Sequence, residues 1–350
     1  MRILFEITHP KHVHLFKYVI REVERRGHTV AITTRDRDVI LALLRAYGFE
    51  FTVLSRGGKG LLGLAAELLV RDWGMWRFCR RFRPDLLVSE VGTCAAHVGW
   101  LMRRPVLVLE DTEDGALQQR ISFPFVTRIC TSEHYEKDWG RKHVRFRSFD
   151  ELAYLHPNHF TPDPAVVGRA GLRPGEPYII VRFLSWGATH DVGQRGVDPR
   201  RRLEALERLE RFGRVIVTSE FALPGGFERF RLPVAPHELL DLLAFARLAF
   251  GEGVSVASEA AILGVPAILT STRATGYIHR LVRDYKLAFR EPDLDAALAL
   301  AERLLSDPAT PEVWRQRRED LLQREIDLVP WIVREIESFD PSRPQQEPVR

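Results

Sequence analysis

Three groups of residues in this 350-residue chain have types and spacings suited to chemistry. His9, Lys11, His12 and His14 follow the apolar run at 3–7. Imidazole is the side chain whose proton moves near neutral pH, so His9, His12 and His14 are candidate bases. Glu110, Asp111, Thr112, Glu113 and Asp114 follow the apolar run at 105–109. Four acids after a buried strand need solvent, a proton or a cation, which makes Asp111 and Glu113 candidates for acid–base work. In the second half, Gly251, Glu252 and Gly253 lead through Val254 and Ser255 into a small-residue segment that stops at Gly264. A glycine turn feeding a helix N-terminus presents free N–H groups and the positive end of the helix dipole, which suits an anion. Glu259, one or two turns in, can accept hydrogen bonds from sugar hydroxyls. Each group has a plainer alternative. A histidine can cap or pack, an acidic loop can be solvated, and a glycine turn can be an ordinary βαβ packing turn.

The elements that must position these groups are short apolar strands alternating with amphipathic helices. Residues 3–7, 29–33, 51–54, 86–88, 105–109 and a last short strand at 129–130 read as strands of the first half. Thr131 and Ser132 would cap a helical turn after them. Helical spacing covers 13–26, 38–47 and 61–82, the first two stopped by Gly27 and Gly48. A second series starts at 178–183 and continues with helix 199–212, strand 215–218, a helix from Pro236, strand 248–250, the glycine turn and helix, and strand 267–269. A hydroxyl-rich loop at 270–277 precedes helices at 294–305, 311–326 and 331–339, with Pro330 kinking the chain into the last. Such alternation predicts parallel sheets whose ligands bind beyond the carboxyl ends of the strands. Arg182 and His190, in the polar stretch 182–193, and Arg273 in the later loop are basic side chains available to phosphates there.

Length predicts two domains. The expected division is 1–145, a proline-rich connection at 146–177, a second domain at 178–327, a C-terminal helix at 328–339 and a disordered tail at 340–350. A formal charge of +4 on this length is too small to imply nucleic-acid binding. Cys79, Cys94 and Cys130 are widely spaced and odd in number, which argues against a disulfide framework and a zinc site. No signal peptide and no apolar run of the ~18 residues of a membrane span are evident, so a cytoplasmic location is expected. Helix 61–82 mixes Trp73, Trp76 and Phe78 with Arg71, Arg77, Arg80 and Arg81, a composition that also suits peripheral contact with a membrane surface.

The order Glu238, strand, Gly251-Glu252-Gly253, then 258–268 resembles the donor motif of GT-B glycosyltransferases and UDP-N-acetylglucosamine 2-epimerases. The chain resembles more specifically the family called domain of unknown function 354. That similarity runs through residues 7–14, Asp111-Thr112-Glu113, residues 151–157, and Val181-Arg182-Phe183 with residues 190–193. Glu6 and His9 stand where that family's pattern has an aspartate and an asparagine. The resemblance implies a GT-B-like α/β fold of two Rossmann-like domains with parallel sheets facing an interdomain cleft. It also implies Glu259 as the ribose ligand, and Gly251, Gly253, Val254 and Ser255 near the diphosphate.

The expected function is metal-independent glycosyl transfer from a nucleotide sugar, most simply a UDP-sugar, to a glycan or lipid-linked acceptor in cell-surface or glycoconjugate synthesis. No cofactor is required. His9, His12, His14, Asp111 or Glu113 would supply the base, and Arg182, His190 and Arg273 would face the diphosphate. The alternatives are an epimerase-like reaction, in which first-domain carboxylates handle elimination of the nucleotide and proton transfer at the adjacent carbon, and a non-catalytic nucleotide-sugar-binding protein.

Overall fold

In a computed structural model the described residues are 1–57, 60–113, 115–183, 199–219, 226–271 and 276–340. His190, Arg273 and the tail at 341–350 lie outside them. The first half runs β1 Arg2–Ile7, α1 Pro10–Arg25, β2 Thr29–Asp36, α2 Asp38–Ala46, β3 Thr52–Arg56, α3 Gly60–Phe82, β4 Leu86–Glu90, α4 Thr93–Leu101, β5 Val106–Glu110, α5 Ala116–Ser122, β6 Arg128–Ser132 and β7 His143–Phe146. These strands form one parallel sheet in the order β3-β2-β1-β4-β5-β6-β7. The seventh strand departs from the expected end at 129–130. His143 and Arg145 interrupt its apolar character, and an edge strand needs only one ladder partner, here β6. The helical turn expected after Thr131 and Ser132 is absent, because both residues belong to β6 and a plain turn follows.

The second half contains α6 Leu152–Leu155, α7 Ala165–Arg169, β8 Tyr178–Arg182, α8 Pro199–Leu209, β9 Arg214–Thr218, α9 Leu239–Ala244, β10 Leu248–Gly251, α10 Val254–Leu263, β11 Ala267–Leu269, α11 Gly276–Arg283, β12 Ala288–Arg290, α12 Leu294–Ser306, α13 Thr310–Arg324 and α14 Leu328–Glu337. Its parallel sheet is ordered β12-β11-β10-β8-β9. The elements α11 and β12 lie mostly beyond the loop read at 270–277, in a stretch to which no element was assigned. Three residues ending in an arginine carry little strand signal, and β12 is fixed by pairing with β11.

The chain divides into two compact units, 1–159 with 325–350, and 160–324. The segment 146–159, expected to connect domains, belongs to the first unit. So does α14, whose apolar face of Leu328, Trp331, Ile332 and Ile336 is buried, with Trp331 and Phe146 ring centroids 5.0 Å apart. Pro330 does not kink the chain. It sits in the first turn of α14, after the Asp327 cap, where no intrahelical N–H is needed. Each unit has its own apolar core. In the first, Leu87, Val106 and Val108 of the sheet meet Met75, Cys79 and Ala96 of α3 and α4. In the second, Ile179, Val217 and Phe250 meet Leu206 and Leu298 of α8 and α12.

Candidate functional site

The sheet order of the first unit decides which side chains meet. Chain order reverses between β1 and β4, which pair directly, so the loops after β1, β4 and β5 open at one place. After β1 comes α1, with Pro10 in its first turn and His9 as N-cap. The exposed His9 ring accepts the Lys11 N–H at 3.3 Å. This cap aims Lys11 across the ends of β4 and β5. Its ammonium bonds the carboxylates of Glu90 (3.1 Å), Asp150 (3.3 Å) and Asp111. Glu90 ends β4 and Asp111 follows β5. Asp150 arrives from the segment after β7, anchored where Ser148 donates to the Ile326 carbonyl at 2.7 Å.

Glu90 and Asp150 are each 4 % exposed, so one ammonium faces three carboxylates with almost no water to screen them. Burial acts against every charge here, and the partners decide the outcome. Lys11 stays charged far above the usual lysine range, because Asp111, Glu90 and Asp150 outweigh its desolvation. Burial would raise Asp111, but the Lys11 ammonium beside it and the Thr112 hydroxyl, donating at 2.8 Å, hold it below the usual carboxylate range. Glu90 is raised well above that range by burial, with Asp111 and Asp150 adding to the shift. Asp150 is pushed up to about 7 by burial, Asp111 and Glu151. The result is one acid held toward its ionised form beside two shifted toward their protonated forms, the pattern that separates a base from an acid. Oxygens of Glu90, Asp111 and Asp150 lie within 4.8 Å of one another, close enough for a divalent cation, but such an ion would have to displace the ammonium.

His12 borders this cluster with its Nε2 3.6 Å from Glu90, while its Nδ1 accepts the Thr8 N–H at 3.4 Å. The proton therefore sits on Nε2, facing Glu90. Burial, His9 and Lys11 keep His12 neutral well below the usual histidine range, so it is placed to donate rather than to accept. His14 is not brought to the cluster. It packs between Tyr47 and Tyr154 with its Nδ1 3.3 Å from the Tyr47 hydroxyl, and burial, with Lys17 nearby, lowers it to about 3. Glu113 also lies apart, its side chain accepting from the Glu136 N–H at 3.4 Å. Glu6, buried at the end of β1, accepts the Ala95 N–H in the first turn of α4 at 2.9 Å and stands 3.7 Å from Arg71, a structural placement.

Glu110, one residue before Asp111, is raised to about 8 by burial and by Asp111. Its folded value exceeds the unfolded one, so the folded state keeps a proton that unfolding releases, and stability falls as pH rises from about 4.5 to about 8. Between pH 6.5 and 8 this group alone costs roughly 2 kcal/mol. Urea melts across that range are expected to show a flatter pH dependence for Glu110→Gln than for the natural chain. Equal slopes would mean that Glu110 is ionised in the folded state.

In the second unit the reversal lies between β8 and β10, which puts Arg182 opposite Gly251. Gly251 has φ +128°, and a Cβ there would lie 2.2 Å from the Arg182 carbonyl oxygen. A Cβ on Gly253, the N-cap of α10, would lie 2.4 Å from the Arg182 side chain. Both glycines let the turn close onto β8, where the Glu252 N–H donates to the Arg182 carbonyl at 2.7 Å. The buried Glu252 carboxylate is met by Arg202 of α8 at 3.3 Å. Intrahelical bonding to the cap starts only at Ala257, so the N–H groups of Val254 and Ser255, in the first turn, have no acceptor within the helix. Ser255 is exposed, and Glu259 is buried one turn further on.

Of the expected site residues, Asp111 and His12 meet at one cluster, and Arg182, Gly251, Gly253, Val254, Ser255 and Glu259 gather around one helix start. Lys11, Glu90 and Asp150 were missed as site residues. Lys11 lay inside the histidine motif and Glu90 ended an apolar strand, so burial of a charged type beside a strand was the available signal. Asp150 had none, since its place depends on a long-range return of the chain.

Two successive units with parallel sheets, each carrying its polar constellation at a strand reversal, define an α/β fold of the GT-B type. Residues 1–156 match the model of the family described as protein of unknown function (DUF354), the family that the motifs resemble. An uncharacterized protein of Methanocaldococcus jannaschii is 21 % identical over 274 residues, which cover 75 % of this chain and 80 % of the relative. Among solved structures, the UDP-GlcNAc 2-epimerase of Neisseria meningitidis bound to UDP-GlcNAc aligns with TM-score 0.72 at 11 % identity over 96 % of this chain and 99 % of that one. A putative UDP-N-acetylglucosamine 2-epimerase of Listeria monocytogenes aligns with TM-score 0.70 at 12 % identity over 99 % and 98 %. A glycosyltransferase of Streptomyces sp. SF2575 complexed with thymidine diphosphate gives 0.62 at 14 % over 97 % and 99 %. At these identities the likeness concerns the fold. Among the described residues no helix is long and apolar enough to cross a membrane.

Proposed function

We propose that the protein acts on a nucleoside diphosphate sugar by carboxylate acid–base chemistry at Lys11, Glu90, Asp111 and Asp150, in the manner of a 2-epimerase. The observation that carries this reading is the buried juxtaposition of one ammonium with three carboxylates, Lys11 bonding Glu90 at 3.1 Å, Asp150 at 3.3 Å and Asp111, an arrangement that lowers Asp111 and raises Glu90 and Asp150. In the proposed reaction Asp111 takes the proton from the sugar carbon next to the anomeric carbon. The C–H electron pair becomes a double bond between that carbon and the anomeric carbon as the anomeric C–O bond breaks, and the nucleoside diphosphate leaves with the C–O pair. A protonated carboxyl, Glu90 or Asp150, then returns a proton to the opposite face as the diphosphate adds back. The start of α10 holds the diphosphate, its N–H groups and dipole facing the charge, and Glu259 takes the ribose hydroxyls.

Glycosyl transfer is the second reading. It needs one ionised base for an acceptor hydroxyl, and Asp111 is held in that state. Incubation with UDP-, GDP-, dTDP- and CDP-sugars in D2O separates the two. Epimerisation incorporates one deuteron at carbon, seen by mass and NMR, whereas transfer leaves the sugar carbons unlabelled and needs an acceptor. Binding with neither label nor product would support a binding protein. In the same assay series, calorimetry is expected to show that Glu259→Ala weakens nucleotide binding by about 1–3 kcal/mol, the cost of a lost hydrogen bond to a charged group. An unchanged Kd removes Glu259 from the ligand set.

A further inference from the structure

Three neighbouring helices of the first unit, α3, α4 and α5, leave large apolar side chains in water. On α3 Leu64, Leu69 (71 % exposed), Val70 and Trp73 (58 %) face outward. The end of α4 adds Trp100 (61 %) and Leu101, and α5 adds Leu117 (72 %) and Ile121. His97 ties these rows into one face. From α4 its ring bonds Asp72 of α3 and the Ile121 carbonyl of α5, each at 2.9 Å, and it meets Phe125 edge-on at 5.5 Å. Scattered surface leucines are ordinary, but two exposed tryptophans and five or more aliphatic side chains on three packed helices mark an interaction surface.

The charges on this face are mostly of one sign. Glu67 and Asp72 are the only acids in the three helices, and both are engaged, Glu67 with Arg35 at 2.7 Å and Ser55 at 3.1 Å, Asp72 with His97. Arg77, Arg80 and Arg81 are exposed on α3 and Arg120 on α5. Arg77 lies over the Trp73 ring at 4.6 Å and Arg80 over Trp76 at 5.1 Å. Just beyond α4, Trp100, Leu101 and Phe125 line an open groove of about 650 Å³ with Arg103, Arg104 and Lys142.

We propose that this face docks on an anionic lipid bilayer, with Leu69, Val70, Trp73, Trp100 and Leu117 entering the headgroup boundary and the arginines pairing with lipid phosphates. Tryptophan's apolar body with a polar N–H, and arginine's long apolar stem with a charged end, both suit that boundary. A second copy of the chain fits less well, because an isologous contact would set the exposed arginines of this face against their own copies. The proposal is independent of the reaction catalysed.

Flotation of the full chain with vesicles of equimolar phosphatidylglycerol and phosphatidylcholine is expected to recover it in the lipid fraction. Pure phosphatidylcholine and high salt are expected to leave it in solution. Each arginine near an anionic surface is worth about fivefold in partitioning, so Arg77→Gln/Arg80→Gln/Arg81→Gln is expected to partition on the order of 100-fold less. Leu69→Ser/Trp73→Ser removes the apolar part with the charges intact and is expected to lose retention as well. All five positions are exposed, and unchanged circular dichroism melts confirm folding. Absence of the natural chain from the lipid fraction, retention equal to it in both variants, or a dimer in sedimentation velocity that Leu69→Ser/Trp73→Ser abolishes without any vesicle binding would each overturn the proposal.

Discussion

Lys11→Met is expected to abolish turnover of a nucleotide sugar and to make the fold strongly sensitive to alkali. The substitution keeps an unbranched apolar stem one atom shorter and removes the ammonium, with its charge and the donors that Glu90, Asp111 and Asp150 share. Breaking a buried ionic group by removing one partner costs about 3–5 kcal/mol, because the remaining charges stay desolvated and unpaired. Without the ammonium all three carboxyls have folded-state values above their unfolded ones. The folded state then holds protons that unfolding releases, so stability is retained at acid pH and lost as pH rises through neutrality. Denaturation of the variant at pH 5 and pH 8 is the measurement. The deficit is expected to be small at pH 5 and close to its full size at pH 8. An equal deficit at both values would mean that Lys11 contributes packing and not charge.

Asp111→Asn is expected to have the largest effect on chemistry with little effect on binding. Asp111 is the acid of the cluster held ionised, so it is the group able to take a proton at neutral pH. The amide keeps the shape, but it cannot act as a base, and general-base catalysis contributes about 10²- to 10⁴-fold. Turnover is expected to fall by at least that factor, while nucleotide affinity by calorimetry stays within about twofold, since α10 and Glu259 belong to the other unit. Retained turnover would move the base to Glu90 or Asp150. Lost affinity would mean that the first unit holds the nucleotide. Read together, the two variants separate roles: Lys11→Met leaves three carboxyls without a cation and disturbs stability and chemistry, whereas Asp111→Asn leaves Lys11 paired with Glu90 and Asp150 and is expected to act mainly on chemistry.

The sequence by itself determined the parts whose signals are local. Period-2 and period-3.6 apolar spacing, with Gly27, Gly48 and Gly264 as stops, marked most strands and helices and hence two parallel α/β series. The glycine turn before α10 was legible because only glycine tolerates φ +128° against the Arg182 carbonyl. Short edge strands such as β7 and β12 were not legible, because three or four residues with an arginine among them become strands only when a neighbour supplies the ladder. The chemistry of the first unit was legible only in part. Histidines near a strand end are a visible pattern, yet tertiary structure gave them three different fates: His9 caps, His14 packs between tyrosines, and His12 turns its proton toward Glu90. The strand reversal beside β1 made Lys11, Glu90 and Asp111 neighbours, and the return of the chain after β7 added Asp150. What an ionisable group does depends on the charges and burial around it, and those are set by residues far away in the chain.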